Sequence, residues 1–208
     1  MKKIKAIRGF ALTPKFGVTL RSKGGFTVVE LIIVLAIMVT ITSLILANYP
    51  GFNERLAVRG ASEDIASNIR LAQAYGLGVK ESSPDLFPGY GVYFQSAITN
   101  SYVLFADIPP YDGTYQESEK IKDLAIQTGV QIYDLCANVK QTPPGTCGLA
   151  SLTAFYKRPT PIVSLKGEQT IGGTVVPASD IEIKIRGARG TTKTIVVWLS
   201  GQISVEEQ

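Results

Sequence analysis

The chain has 208 residues, 21 basic and 17 acidic side chains, a formal charge of +4 and no histidine. The missing imidazole excludes Ser-His-Asp and Cys-His catalysis and histidine metal ligation, so an enzyme would have to work with carboxylates, lysine or tyrosine; the expectation is a protein that is no enzyme and needs no cofactor or metal. The basicity is local: residues 1–25 carry seven of the basic side chains and none of the acids, which leaves 14 basic against 17 acidic groups, formally −3, in the rest of the chain.

The first element in chain order is an apolar run over residues 26–47. At ~1.5 Å rise per residue, a helix of that length crosses a hydrocarbon core of ~30 Å. Lys2, Lys3, Lys5, Arg8, Lys15, Arg21 and Lys23 precede it, and this positive excess favours a cytoplasmic N-terminus with everything after Ala47 outside. A cleaved secretory signal is one reading, but the run exceeds the usual ~7–15 residues of such a segment, and no small-residue pair at the A-x-A spacing closes it. An uncleaved single-pass anchor explains the length and orientation, yet leaves Gly24, Gly25 and Glu30 without a reason. An ionised carboxylate at the centre of a membrane helix costs roughly 2.5–3.5 kcal/mol, and less near the interface, where Glu30 lies. Packed among other helices it needs a partner. A cut between Gly25 and Phe26 would supply an α-amine at the right depth.

The segment Gly25-Phe26-Thr27-Val28-Val29-Glu30, followed by unbroken aliphatics, resembles the class III signal of type IV prepilins and type II secretion pseudopilins. The resemblance implies cleavage by a prepilin peptidase after Gly25, N-methylation of Phe26, and use of Glu30 to neutralise the N-terminal amine of a neighbouring subunit, so that Phe26 and Glu30 set subunit registration. The chain departs from the family's commoner pattern in a long leader, residues 1–25, and in Val28-Val29 where Leu-Ile or Leu-Val is usual.

Pro50-Gly51 is expected to interrupt or kink the helix, which resumes over 52–77. There Leu56, Ala61, Ile65, Ile69 and Ala72 form an apolar stripe, with Arg55, Arg59, Glu63, Asp64, Asn68 and Arg70 on the other faces. That pattern predicts an amphipathic helix buried on one side. After Gly76 and Gly78 the texture turns to short β-rich runs: 90–95, 101–106, 130–136, 151–157, 170–176, 181–186, 194–200 and 202–205. Ile181, Ile183 and Ile185 alternate with Glu182, Lys184 and Arg186, as in a half-buried antiparallel strand. The expected fold is therefore α+β and pilin-like: one long N-terminal helix, membrane-spanning in its first half and amphipathic in its second, packed on a C-terminal antiparallel β-rich head. Its divisions are a leader 1–25, a membrane or filament-core helix 26–49, an amphipathic continuation 50–79 and a head 80–208. With Arg70-Leu71-Ala72-Gln73-Ala74 ending the helix and Trp198-Leu199-Ser200-Gly201-Gln202-Ile203 near the C-terminus, the head looks like the GspH/FimT group of minor pseudopilins and minor pilins.

Cys136 and Cys147 bracket a polar stretch with a Pro143-Pro144-Gly145 turn. In an oxidising compartment a disulfide closing this loop is expected over two free thiols, stabilising by ~2–3 kcal/mol in the chain-entropy model. Asp107, Asp112, Gly113, Glu117 and Glu119 form an acidic loop in a family where some members bind calcium. EF-hand spacing fails at Ile108 and Pro110, and the loop reads as a solvated turn. Residues 187–194 miss the phosphate-loop pattern by one residue and read as a hairpin turn. Lys184, Arg186, Arg189 and Lys193 crowd that hairpin, with Phe155, Tyr156, Lys157 and Arg158 as further aromatics and charges. They read as a polar hairpin facing water, with phosphate tracking and DNA binding as the second reading. The resemblance thus implies a structural subunit that is cut, held in the cytoplasmic membrane and then extracted into a filament. Its partners would be other pilin or pseudopilin subunits, the peptidase, a membrane platform with its ATPase, and the lipid bilayer, with nucleic acid as the alternative.

Overall fold

The computed structural model describes residues 25–78, 88–141, 143–158, 163–169 and 172–207. The leader expected over 1–25 lies outside the described residues except for Gly25, as do Thr170 and Ile171 of the expected strand 170–176. By its contacts the chain divides into two units, residues up to Ile45 and Leu46–Gln208.

Helix α1 (Val28–Leu77) is continuous through Pro50, which corrects the expected interruption. Proline removes one N–H, that which would bond the Leu46 carbonyl, and the hydrogen bonds on either side carry the helix past it. In the first unit the helix exposes its aliphatic side chains all round. It is long and apolar enough to cross a membrane, and none of its apolar stretch is buried.

In the second unit the helix changes character. Val58, Ala61, Ile65, Ala66, Ile69 and Ala72 are buried at spacings of one, three and four, whereas Leu56 is half exposed. The stripe therefore begins at Val58 and not at Leu56, which sits two residues earlier and so about 200° around the helix.

Among the described residues the head has ten strands, all pairings antiparallel: β1 (Gly89–Gln95), β2 (Ser101–Asp107), β3 (Lys120–Ala125), β4 (Val130–Ala137), β5 (Leu149–Tyr156), β6 (Ser164–Gln169), β7 (Val175–Ala178), β8 (Asp180–Gly187), β9 (Thr192–Trp198) and β10 (Ile203–Glu207). They form a six-stranded sheet, β3-β2-β1-β5-β6-β7, and a four-stranded sheet, β10-β9-β8-β4. Alternation decides which side chains turn inward. Tyr90, Val92 and Phe94 of β1, Leu152, Ala154 and Tyr156 of β5 and the three isoleucines of β8 are buried. Most of them join the helical stripe in one apolar cluster that draws on both sheets. The architecture is the expected α+β one, a long N-terminal helix packed on an antiparallel β head.

Two expectations change in detail. The strand expected over 170–176 is replaced by the β6–β7 hairpin, whose turn holds Gly172 and Gly173 at φ 88° and 59°, a conformation that favours glycine. The edge strand β3 was not foreseen. Close approach also places a glycine at position 76, where a Cβ would stand 2.3 Å from the Tyr156 carbonyl oxygen. Asn68 Nδ2 donates to the Tyr102 hydroxyl at 2.9 Å, and burial pushes that phenol up to about 12.

Candidate functional site

At the start of α1, Gly25 has open space around it and Phe26 is 84% exposed. Thr27 and Glu30 form a reciprocal cap. The Glu30 carboxylate accepts from the Thr27 N–H at 3.2 Å and the Thr27 hydroxyl at 3.3 Å, and the Glu30 N–H donates to Thr27 Oγ1 at 3.2 Å. Thr-x-x-Glu ahead of an apolar run is the capping-box signature. Thr27 and Glu30 carry that signature in the sequence itself. Within one chain, then, Glu30 already stabilises the helix terminus, and its negative charge suits the positive end of the dipole.

Cys136 and Cys147 are joined as expected. Their loop is fastened at both ends by residues the sequence did not flag. Asp180, fully buried, accepts three backbone N–H groups, from Val139 and Lys140 on Oδ2 and from Gln141 on Oδ1, at 3.0 to 3.1 Å. Asn138, at φ 60°, accepts from the Ser179 N–H at 2.8 Å. At the far end Asp134 accepts from the Gly148 N–H at 2.9 Å. Among the described residues Asp134, Cys136 and Cys147 gather one carboxylate oxygen and two sulfurs, but sulfurs joined to each other are not thiolate ligands.

The basic hairpin is less open than its sequence suggests. Lys184 Nζ lies 3.8 Å from both Asp134 and Glu182, and Lys193 Nζ lies 2.9 Å from Glu207. The Arg186 guanidinium sits over the Tyr133 ring at 5.3 Å. Arg189 is exposed at the tip between β8 and β9. The tip's backbone holds an anion from its own chain: Glu54, on α1, accepts from the N–H groups of Arg189 and Thr191, each at 3.0 Å. Burial opposes the Glu54 charge, but the Thr191 and Arg189 N–H bonds and the nearby Arg189 charge outweigh it and hold the carboxyl below its ordinary value. Gly187 permits the approach, since a Cβ there would come within 2.5 Å of Glu54 Oε1.

The acidic loop is not the solvated turn expected. Asp112 and Glu117 face solvent, but Asp107 is fully buried and Glu119 nearly so. The reason is that both accept backbone N–H bonds that close the loop. Asp107 Oδ1 takes Gly113 at 3.1 Å, and Glu119 takes Ile108 at 3.1 Å and Gln116 at 2.9 Å. Burial pushes both carboxyls up. Lys166, on β6, sends its ammonium into the same loop, onto the carbonyls of Asp112 and Gly113 and the Thr114 hydroxyl at 3.0 to 3.1 Å. An internal cation thus ties down a segment whose Tyr115 stacks on Tyr93 at 4.7 Å and covers the outer face of the six-stranded sheet.

Of the sequence-predicted site residues, the fold brings Lys184 of β8 to the disulfide, 3.8 Å from Cys147 Sγ and from Asp134, while the tip of the β8–β9 hairpin meets its helical partner Glu54. Comparison with protein-family models, with curated proteins and with solved structures gives no match.

Proposed function

We propose that the chain is a structural subunit of a type IV pilus or type II secretion-type filament, of the minor pilin or pseudopilin kind, processed by a prepilin peptidase and assembled through α1. The observation that carries this reading is the sequence Gly25-Phe26-Thr27-Val28-Val29-Glu30 at the head of a helix that is apolar and exposed all round in its first half and packed on a β head in its second. The first half has a surface suited to hydrocarbon or to the same segment of neighbouring subunits, and the second half gives each subunit a rigid handle. On this reading the N-terminus lies inside the cytoplasmic membrane, the head outside, and the disulfide forms there.

Gly25 makes a clean test, because a Cβ added there meets nothing within 4 Å. A Gly25→Ala variant therefore probes peptidase recognition without disturbing the fold. Intact-mass analysis of membrane-derived protein should find wild-type chains beginning at a methylated Phe26 and variant chains that retain Met1. Wild-type protein still carrying its leader, in cells whose peptidase processes other substrates, would leave only an anchored extracellular domain.

A further inference from the structure

We infer that Tyr49, Phe52, Arg55, Arg59 and Arg189 form a collar that seats the head on the anionic headgroups of the bilayer; this rests on the reading that the first half of α1 crosses that bilayer. The apolar run that can lie in hydrocarbon ends at Ala47. Tyr49 and Phe52 follow it by about 3 and 8 Å along the helix. They therefore fall in the headgroup layer that flanks the ~30 Å core and makes the bilayer ~40–45 Å thick in all. They are 55% and 60% exposed, with the aromatic character of residues that collect at that depth.

Arg55 and Arg59 come next, both exposed and four residues apart on one side of the helix. Helical side chains lean toward the N-terminus, which here is toward the membrane, so the guanidinium arm of Arg55, about 12 Å past Ala47 along the helix, reaches back to the phosphate level, while Arg59, about 18 Å past it, stands off the surface within about a Debye length and adds to the attraction at low salt. The one acid in this stretch, Glu54, is taken up by the Arg189 and Thr191 N–H groups. That same pair of bonds anchors the hairpin tip, holding Arg189 beside Glu54 near the start of the second unit's part of the helix. Glu207, which feels the charge of Arg59, is itself held by Lys193. The next acids on the helix, Glu63 and Asp64, stand one to two turns beyond Arg59. The collar thus presents aromatic and cationic groups with Glu54 and Glu207 engaged and Glu63 one turn farther from the apolar run than Arg59, the complement of a phosphate-bearing lipid surface.

The test reconstitutes the full chain into nanodiscs of phosphatidylcholine alone or mixed with phosphatidylglycerol and measures amide exchange over residues 187–191. With phosphatidylglycerol, exchange is expected to slow about fivefold at low salt. High salt should abolish the difference, as should the triple variant Arg55→Gln, Arg59→Gln, Arg189→Gln, whose exposed side chains carry no packing. Equal exchange in both lipids, in a chain that has inserted, overturns the collar and leaves the spanning helix standing. A chain that fails to insert in either lipid removes both. Stronger protection by duplex DNA than by phosphatidylglycerol would reassign the surface to nucleic acid.

Discussion

Carboxylates of one kind are pulled in opposite directions by their surroundings. Glu54 has its carboxyl lowered because two backbone N–H groups more than offset its loss of water, while Asp107 and Glu119 are raised because burial dominates. The signs give a test. A group lowered in the folded state adds stability above the ordinary carboxylate range, lost as the pH falls through its folded value. Groups raised in the folded state add stability that is complete below the ordinary range, lost as the pH rises through theirs. Glu54→Gln should therefore flatten the acid limb of a plot of Tm against pH. Asp107→Asn, which keeps an acceptor for the Gly113 N–H, should flatten the opposing decline on the other side of the ordinary range. Unchanged limbs in both variants would show that other groups set the profile. None of this was legible in the acidic loop, since spacing can exclude an EF-hand but says nothing about which acid turns inward.

At the scale of elements, the sequence was informative wherever one face is apolar, even where, as at Glu182 of β8, the opposite face is buried too and the strand is more than half-buried. The isoleucines of β8 and the stripe of α1 carry a period that survives into the structure. β3 was missed for the opposite reason: most of its side chains are exposed, so no alternation marks it. Its Lys120, Lys122 and Asp123 are the charges that keep an open edge from pairing with another chain, as Pro177 does at the β7 edge of the same sheet. Pro50 does not interrupt the helix, because hydrogen bonds on both sides absorb the loss of one N–H. At Gly76, α1 comes directly against the backbone of β5. Gly76→Ala would drive a Cβ into backbone at Tyr156, where no side chain can rotate away. The expected loss is about 1–3 kcal/mol, visible as a lower denaturant midpoint with an unchanged m-value. An unaffected midpoint would mean that the helix end can shift at no cost.

Across the whole molecule, the order of parts along the chain matches what the sequence suggested, one helix and then antiparallel strands, while the division of ten strands between two sheets could not be read from it. Pairings such as Val130 with Gly187 join segments whose adjacency leaves no local mark. The helix is joined to early and late strands alike: Tyr75 meets the Tyr90 ring of β1 and Asn68 the Tyr102 hydroxyl of β2, but part of its cover comes last. Glu54 holds the β8–β9 tip, Gln73 donates to the Gly201 carbonyl at 3.4 Å and Arg70 to the Ile203 carbonyl at 3.5 Å, and the isoleucines of β8 and β9 complete the cluster around Ile65 and Ile69. During synthesis, the stripe from Val58 to Ala72 therefore leaves the ribosome well before its cover. At ~5–20 residues per second the wait is on the order of ten seconds. A chain stopped at Gly187 should leave that stripe open, cleaved readily by protease within residues 58–72 where the full chain resists. Tight folding of the truncated form would show that the first sheet suffices. The stripe is thus fully enclosed only when the last strands arrive, and through that interval its apolar side must be kept from every other nascent chain at the same membrane.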